Sequence, residues 1–394
     1  MARLSPGVKL LRSLARTAKA QRKMMTTLLG AATIAPPKLP KLPKLPKPRK
    51  PSRPPEPPHK PRPSAAAAPL PAPTGDWLMG RHLPTALAGP GMDYWLYLPR
   101  TQPDAAAQRG WPLVVMLHGC QQSATQFADG TRMNRLADSK GYAVLYPQQS
   151  IGAHAQGCWR WYDRATQQGG GDTALLADLV TAVCVKHRID RRRIYACGLS
   201  AGAGMAAVLA LNHPELIAAV GLHSAPVLGA GHSTVGALRV MRHGAPLAGD
   251  TAIDEVLARR RAQVVPGGPG VPGGTMPMPP MPAILIQGAD DQVVHPVNQQ
   301  HLARQWLQLN NLGAAPARIT VKPAGRGGSR NAHEIHDYLV GRKPLLRVAR
   351  IAGLGHAWSG GDAALRFNMK AGPDASRMML EFFGRHQRLM TPVR

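Results

Sequence analysis

The pentapeptide Gly198-Leu199-Ser200-Ala201-Gly202 is the segment of this chain best suited to chemistry. A serine hydroxyl becomes an effective nucleophile when a base takes its proton, a third group orients that base, and donors await the oxyanion. Glycines two positions to either side of a serine suit a sharp turn between a strand and a helix, where larger residues would clash. The flanks have that character: Arg193 to Cys197 reads as a strand and Ala203 to Ala207 as a helix. On such a scaffold the partners follow in the order serine, acid, histidine. Asp290 and Asp291 lie just past the apolar run Ala283 to Gln287, and His356 follows a strand-like run ending near Ile351. The chemistry expected is acyl transfer, with Ser200 as nucleophile, His356 as base, and one of the two aspartates as orienting acid. The amide of Ala201 supplies one oxyanion donor, and the loop His118-Gly119-Cys120-Gln121, after the run Pro112 to Leu117, supplies the second.

Two other histidine groups are weighed against this. His295 sits four residues after Asp291, where it reads as a local contact or cap. His333-Glu334-Ile335-His336 has one residue between Glu and His where the zinc motif needs two, so no metal is expected there. The chemistry calls for no organic cofactor.

The elements that must position these groups alternate. Strands are expected at Tyr94 to Leu98, Pro112 to Leu117, Ala143 to Tyr146, Arg193 to Cys197, Ala218 to Leu222, Ala283 to Gln287, Arg318 to Val321 and Leu345 to Ile351. Helices are expected around Gln126 to Ser139, Thr173 to Lys186, Met205 to Asn212, Gln299 to Leu309 and Ala375 to His386. This alternation predicts an α/β fold, a mostly parallel sheet flanked by helices, with functional loops at the carboxyl ends of the strands. Residues 225–282 are read as irregular, and the Gly, Pro and Met residues of 264–282 as a flexible loop or lid.

The chain has 394 residues, 44% of them hydrophobic, ample for a large core; length alone allows two or three domains, or one large one. Its net charge of +28 is unevenly spread: residues 1–74 carry sixteen Lys/Arg against the single acid Glu56. Residues 1–35 read as a basic amphipathic segment. Residues 36–75 read as a Lys/Pro-rich linker in which Lys38-Leu39-Pro40 recurs at 41 and 44, suited to an extended polyproline II spacer. The catalytic domain is expected at 76–394. The basic extension is expected to be disordered and to contact an anionic surface or granule, without specific nucleic-acid recognition. No run has the roughly 18–20 apolar residues of a membrane span. The charged region before Met24 is long for a secretory signal, and Pro36 follows the small-x-small site Thr33-Ile34-Ala35, so the residues leave export open. Four cysteines are too few for a disulfide scaffold and lack zinc spacing.

Five segments carry a resemblance: Leu117 to Gln122, Gly157 to Trp161, Ile189 to Met205, Gly288 to Pro296, and Gly353 to Gly361. In these the chain resembles the polyhydroxybutyrate (PHB) depolymerase-type esterases, allied to feruloyl and acetyl-xylan esterases. The resemblance covers about residues 90–385 and implies an α/β-hydrolase fold. It also implies a serine carboxylic-ester hydrolase, acting on hydroxyalkanoate oligo- or polyesters or on short-chain esters; feruloyl and acetyl-xylan esters are the alternative. In that family the acid precedes a Val-His-Pro, matched here by Val294-His295-Pro296, which selects Asp291. The resemblance further implies that the Cys120 amide is the second oxyanion donor and that Cys120 and Cys158 form a disulfide. Trp159 and Trp161 would then line the acyl or alcohol site, although core packing reads equally well for either. An extracellular or periplasmic location follows from the family, with an intracellular one left open. Cys184 and Cys197 read as buried small apolar residues.

The chain also departs from the family. Arg160 stands where an Asn is usual, and Ala203 where a Gly is common. Only 38 residues follow His356, room for one helix and a tail, while the extra material is N-terminal and basic. The expectation is therefore oligomeric or short-chain esters rather than crystalline polyester. A second reading makes the protein chiefly a granule- or surface-binding protein attached through residues 1–74.

Overall fold

The computed structural model describes residues 72–84, 91–100, 109–245, 248–262, 278–313 and 315–388. The readings made for residues 1–71 and 264–277 lie outside them. Twelve strands are described: β1 (Asp76–His82), β2 (Met92–Leu98), β3 (Trp111–Leu117), β4 (Ala143–Pro147), β5 (Ile189–Leu199), β6 (Ala219–His223), β7 (Ala283–Gly288), β8 (Arg318–Lys322), β9 (His333–Val340), β10 (Lys343–Ile351), β11 (Trp358–Ser359) and β12 (Asn368–Met369). The described α-helices are α1 (Ala124–Thr131), α2 (Met133–Lys140), α3 (Arg164–Gln167), α4 (Gly171–Lys186), α5 (Ala201–Asn212), α6 (Thr234–His243), α7 (Ala248–Ala262), α8 (Val297–Leu309) and α9 (Ala375–Phe383).

Ten strands form one sheet in the order β1-β2-β4-β3-β5-β6-β7-β10-β9-β8. Its centre, from β4 through β3, β5, β6 and β7 to β10, is parallel, and antiparallel strands lie at both edges. The central strands are apolar because both faces are covered. Side chains alternate across a strand. In β3, Leu113, Val115 and Leu117 enter the core beneath α4 and α5, whereas Val114 and Met116 enter the core of α1, α2 and α9. β5 repeats the pattern with Ile194 and Ala196 on one face, Tyr195 and Cys197 on the other. This is the α/β-hydrolase fold.

The described elements differ from the sequence reading in several places, the short α3, β11 and β12 among them. The helix expected from Gln126 to Ser139 is two helices, α1 and α2, broken at Arg132, which adopts the left-handed conformation with φ 53°. β1 and β9 were not foreseen. β1 is an edge strand whose apolar residues Trp77, Leu78 and Met79 stay exposed, so it shows no clean alternation. The stretch read as irregular holds α6 and α7; α6 buries only Ala237 and Val240, whereas α7 turns Ala252, Ile253 and Val256 inward, a short apolar stripe set among charged residues. His333-Glu334-Ile335-His336 opens β9, where a two-residue period puts Glu334 and His336 on one face, in contact, and His333 on the other. Among the described residues, no helix is long and apolar enough to cross a membrane.

Candidate active site

Ser200 sits at the carboxyl end of β5, with φ 57° and ψ −121°, a region that residues other than glycine rarely occupy. The turn is held from two sides: the Ser200 N–H donates to the His223 carbonyl at 2.9 Å, and the Gly204 N–H donates to the Ser200 carbonyl at 3.0 Å. Gly202 is required by close approach. A Cβ there would lie 2.0 Å from the Leu117 carbonyl oxygen and 2.5 Å from that of His118, backbone atoms of the neighbouring strand and loop. The elbow therefore docks directly against the end of β3, which carries the loop at 118–122.

That loop is braced in several ways. Cys120 and Cys158 form a disulfide. His118 is buried; its Nδ1 lies 2.8 Å from the Gly119 carbonyl oxygen, so Nδ1 carries the proton and donates. Its Nε2 then accepts from the Gln149 amide at 3.2 Å and faces Gln148 Nε2 at 3.3 Å. Burial pushes this imidazole down to about 4, so the ring is neutral at pH 7. Gln122 Oε1 accepts the Gly119 N–H at 2.9 Å, and Trp159 Nε1 donates to the His118 carbonyl at 3.1 Å. In a trans peptide the C=O and the following N–H point opposite ways, so holding the Gly119 carbonyl also aims the Cys120 N–H. Among the described residues, neither the Cys120 nor the Ala201 amide donates to the protein.

Asp291 and His356 meet across the next two loops. Asp291 is buried and accepts four hydrogen bonds. The Val293 and Val294 amides donate to Oδ1, both at 2.9 Å, Gln287 Nε2 donates to Oδ2 at 2.9 Å, and His356 Nδ1 approaches Oδ2 at 2.8 Å. Burial raises this carboxyl, but His356 and the two amides outweigh it and hold it below the usual carboxylate range. Gly288 lets the two loops meet: a Cβ there would lie 2.1 Å from the Leu354 carbonyl oxygen. The Asp290 amide donates to that same carbonyl at 3.0 Å, while its side chain stays exposed. With Nδ1 engaged, Nε2 of His356 is the nitrogen left for the cleft. His295 makes the local contact read for it, accepting the Val297 N–H at Nδ1 (3.3 Å).

His223 was missed in the sequence, and its position at the end of a buried strand beside the elbow strand was the available signal. It is buried, and burial followed by the nearby His356 pushes it down to about 3. Its carbonyl holds the Ser200 amide, its Nε2 accepts the Ser359 N–H at 3.3 Å, and its ring stacks on Trp358 at 5.1 Å. It thus ties the elbow to the loop that carries His356.

Ser200, Ala201, Cys120 and His356 all line one cleft, of about 1460 Å³, with Trp159 and Trp161 in its wall. Both tryptophans are nearly wholly buried. Trp161 packs against Gly204 of α5, as Trp159 packs beside His118 at 5.5 Å. Cys184 and Cys197 are free and buried, and burial pushes the Cys184 thiol up to about 11. Among the described residues, no group of three or more His, Cys, Asp or Glu could hold a metal ion.

Comparison with known proteins agrees with this architecture. The chain is 29% identical over 252 residues to a poly(3-hydroxyalkanoate) depolymerase C of Paucimonas lemoignei, covering 62% of this chain and 54% of that protein. It is 27% identical over 214 residues to a probable acetylxylan esterase A of Neosartorya fischeri, covering 54% of each. The chain thus spans about half the length of the curated relatives it matches. Among solved structures, an acetyl xylan esterase from Aspergillus awamori superposes with a TM-score of 0.57 at 18% identity, covering 79% of this chain and 99% of that one. The family described as esterase PHB depolymerase matches residues 92–326, and the chain belongs to it.

Proposed function

We propose that this protein is a serine carboxylic-ester hydrolase working through an acyl-enzyme, with Ser200, His356 and Asp291 as its catalytic residues. The observation that carries the proposal is the strained Ser200 turn sharing a cleft with a His356 whose Nδ1 is engaged by buried Asp291. His356 Nε2 takes the Ser200 proton as Oγ bonds to the ester carbonyl carbon. The Ala201 and Cys120 amides receive the developing oxyanion, each worth roughly 3–4 kcal/mol of transition-state stabilisation. Collapse of the tetrahedral species breaks the ester C–O bond, and His356 hands its proton to the departing alcohol. Water then attacks the acyl carbon, giving its proton to His356, and the acid leaves as Ser200 Oγ is reprotonated. Asp291, accepting from Nδ1, keeps the imidazole in the tautomer this requires and stabilises its cationic form.

The relatives' names support hydroxyalkanoate oligo- or polyesters as substrates, with short-chain, acetyl-xylan or feruloyl esters as the alternatives sharing the same framework. The Cys120–Cys158 bridge supports an oxidising compartment, extracellular or periplasmic. Ser200→Ala tests the reading with p-nitrophenyl butyrate. The variant should fold as the parent does and release no nitrophenol above background; undiminished turnover would reject Ser200 as nucleophile.

A further inference from the structure

The cleft is lined mainly by uncharged groups. Among the described residues its fixed charges are Arg81, Asp93 and Arg366. Arg81 and Asp93 neutralise each other through a 2.8 Å ion pair. Arg366 has no carboxylate partner among the described residues; its guanidinium carbon lies 5.0 Å above the Phe367 ring. Among the described residues the cleft therefore holds one unbalanced cation.

Its place follows from backbone pairing. β11 and β12 run parallel with Trp358 opposite Asn368; Arg366 and Phe367 lead into β12 as His356 and Ala357 lead into β11, and Arg366, Phe367 and His356 all line the cleft. Phe367 sits at φ 62°, a conformation rare for a bulky residue, and is held there because its carbonyl accepts the Trp358 N–H at 2.8 Å. The Asn368 side chain donates to the Leu365 and Arg366 carbonyls at 3.3 and 2.9 Å, and the Gly361 N–H donates to the Met369 carbonyl at 2.9 Å. The arginine thus stands on a pinned, strained turn that shares the cleft with the base. Strain of this kind persists where the surroundings impose it, and it collects at ligand clamps. A guanidinium over an aromatic face, its N–H donors without a carboxylate partner among the described residues, is suited to a substrate carboxylate. Ile151 and Val235, exposed apolar residues, line the same cleft and suit the chain of such a molecule.

We infer that Arg366 recognises a free carboxylate on the ester substrate, so that the site favours esters of hydroxy acids or dicarboxylic acids that carry an acid end. The inference rests on the esterase reading above and narrows its substrate class. Two substrate pairs test it, each a carboxylate against its neutral counterpart. The 3-hydroxybutyrate dimer is compared with its terminal carboxamide, which puts the charge on the alcohol side. p-Nitrophenyl hemisuccinate is compared with p-nitrophenyl butyrate, which puts it on the acyl side. In the full-length protein at least one pair should show a kcat/KM ratio favouring the carboxylate, and Arg366→Gln should lower that ratio by about tenfold. Arg342→Gln, the same charge change on the distant turn between β9 and β10, controls for the overall positive charge and should keep the ratio. Succinate should inhibit butyrate hydrolysis competitively, and less so in Arg366→Gln. Hydrolysis of the neutral esters without carboxylate preference in either pair would overturn the inference while leaving the esterase reading standing. An equal fall of the ratio in both variants would also overturn it. No hydrolysis of any of the four esters would sink both.

Discussion

Replacing Asp291 by asparagine perturbs one atom, and the hydrogen bonds around it set the consequence. Oδ1 accepts from the Val293 and Val294 amides, so the asparagine oxygen takes that side, and its NH2 must replace Oδ2. There it meets two donors, Gln287 Nε2 at 2.9 Å and His356 Nδ1 at 2.8 Å. The Gln287 clash costs about 1–3 kcal/mol of stability, the range for a buried donor left unsatisfied. The His356 clash is relieved when the ring moves its proton from Nδ1 to Nε2. The imidazole then accepts from the new side-chain NH2 and presents N–H, rather than a lone pair, to Ser200. A base in the wrong tautomer loses about 10⁴ in kcat in the serine-protease template, or about 5.5 kcal/mol of barrier. The assay is kcat/KM on p-nitrophenyl butyrate, with near-UV circular dichroism to show that the fold is retained. Asp290→Asn is the control, since the Asp290 side chain is exposed and only its backbone joins the His356 loop. Activity of Asp291→Asn within about tenfold of the parent would refute this reasoning, as would an equal loss in Asp290→Asn.

Two further outcomes follow from other parts of the site. His118 and His223 stay neutral when folded, down to about 4 and about 3, whereas the unfolded chain protonates them near their usual 6.5. The unfolded state then binds more protons below that value, so stability should fall as pH drops from about 6.5 toward 4, by about 2 kcal/mol for His118 alone at pH 5. The depressed Asp291 carboxyl stabilises the fold above its usual 3.8 and adds its own loss only as pH falls below that. Urea unfolding at pH 7.5 and pH 5 checks this, and equal stabilities would contradict it. Breaking the Cys120–Cys158 bridge by Cys158→Ser frees a 38-residue separation, for which chain entropy gives about 4 kcal/mol. The variant should melt several degrees lower and lose kcat more than KM rises, because the Cys120 amide is no longer held; unchanged melting and kcat would show that the hydrogen bonds of His118 and Gln122 suffice.

Much of the site was legible because it lies at the ends of strands that are themselves legible. Apolar runs such as Ala283 to Gln287 mark strands buried on both faces, and the loops after them are where Ser200, Asp291 and His356 fall. The flanking elements were harder. β1 and β9 lie at or next to the sheet edge, where exposure removes the hydrophobic pattern; α6 buries only Ala237 and Val240, and the stripe of α7, Ala252, Ile253 and Val256, is short and set among charged residues. The choice of Asp291 over Asp290 came from resemblance. The geometry that pairs Asp291 with His356 depends on Gly288 letting two distant loops touch, a contact between residues 66 apart that no local pattern encodes.

The sequence by itself determined the alternation of strands and helices, the Ser200 turn and the chain order in which Asp291 and His356 follow it, because these depend on side-chain size and hydrophobic period within short windows. Only the tertiary structure decided what the loops become together. It made His118 and His223 neutral braces rather than bases, since burial by separate elements removes their charge. It also left Arg366 as the one unbalanced cation among the described residues of the cleft, since pairing depends on which carboxylates the fold brings within reach.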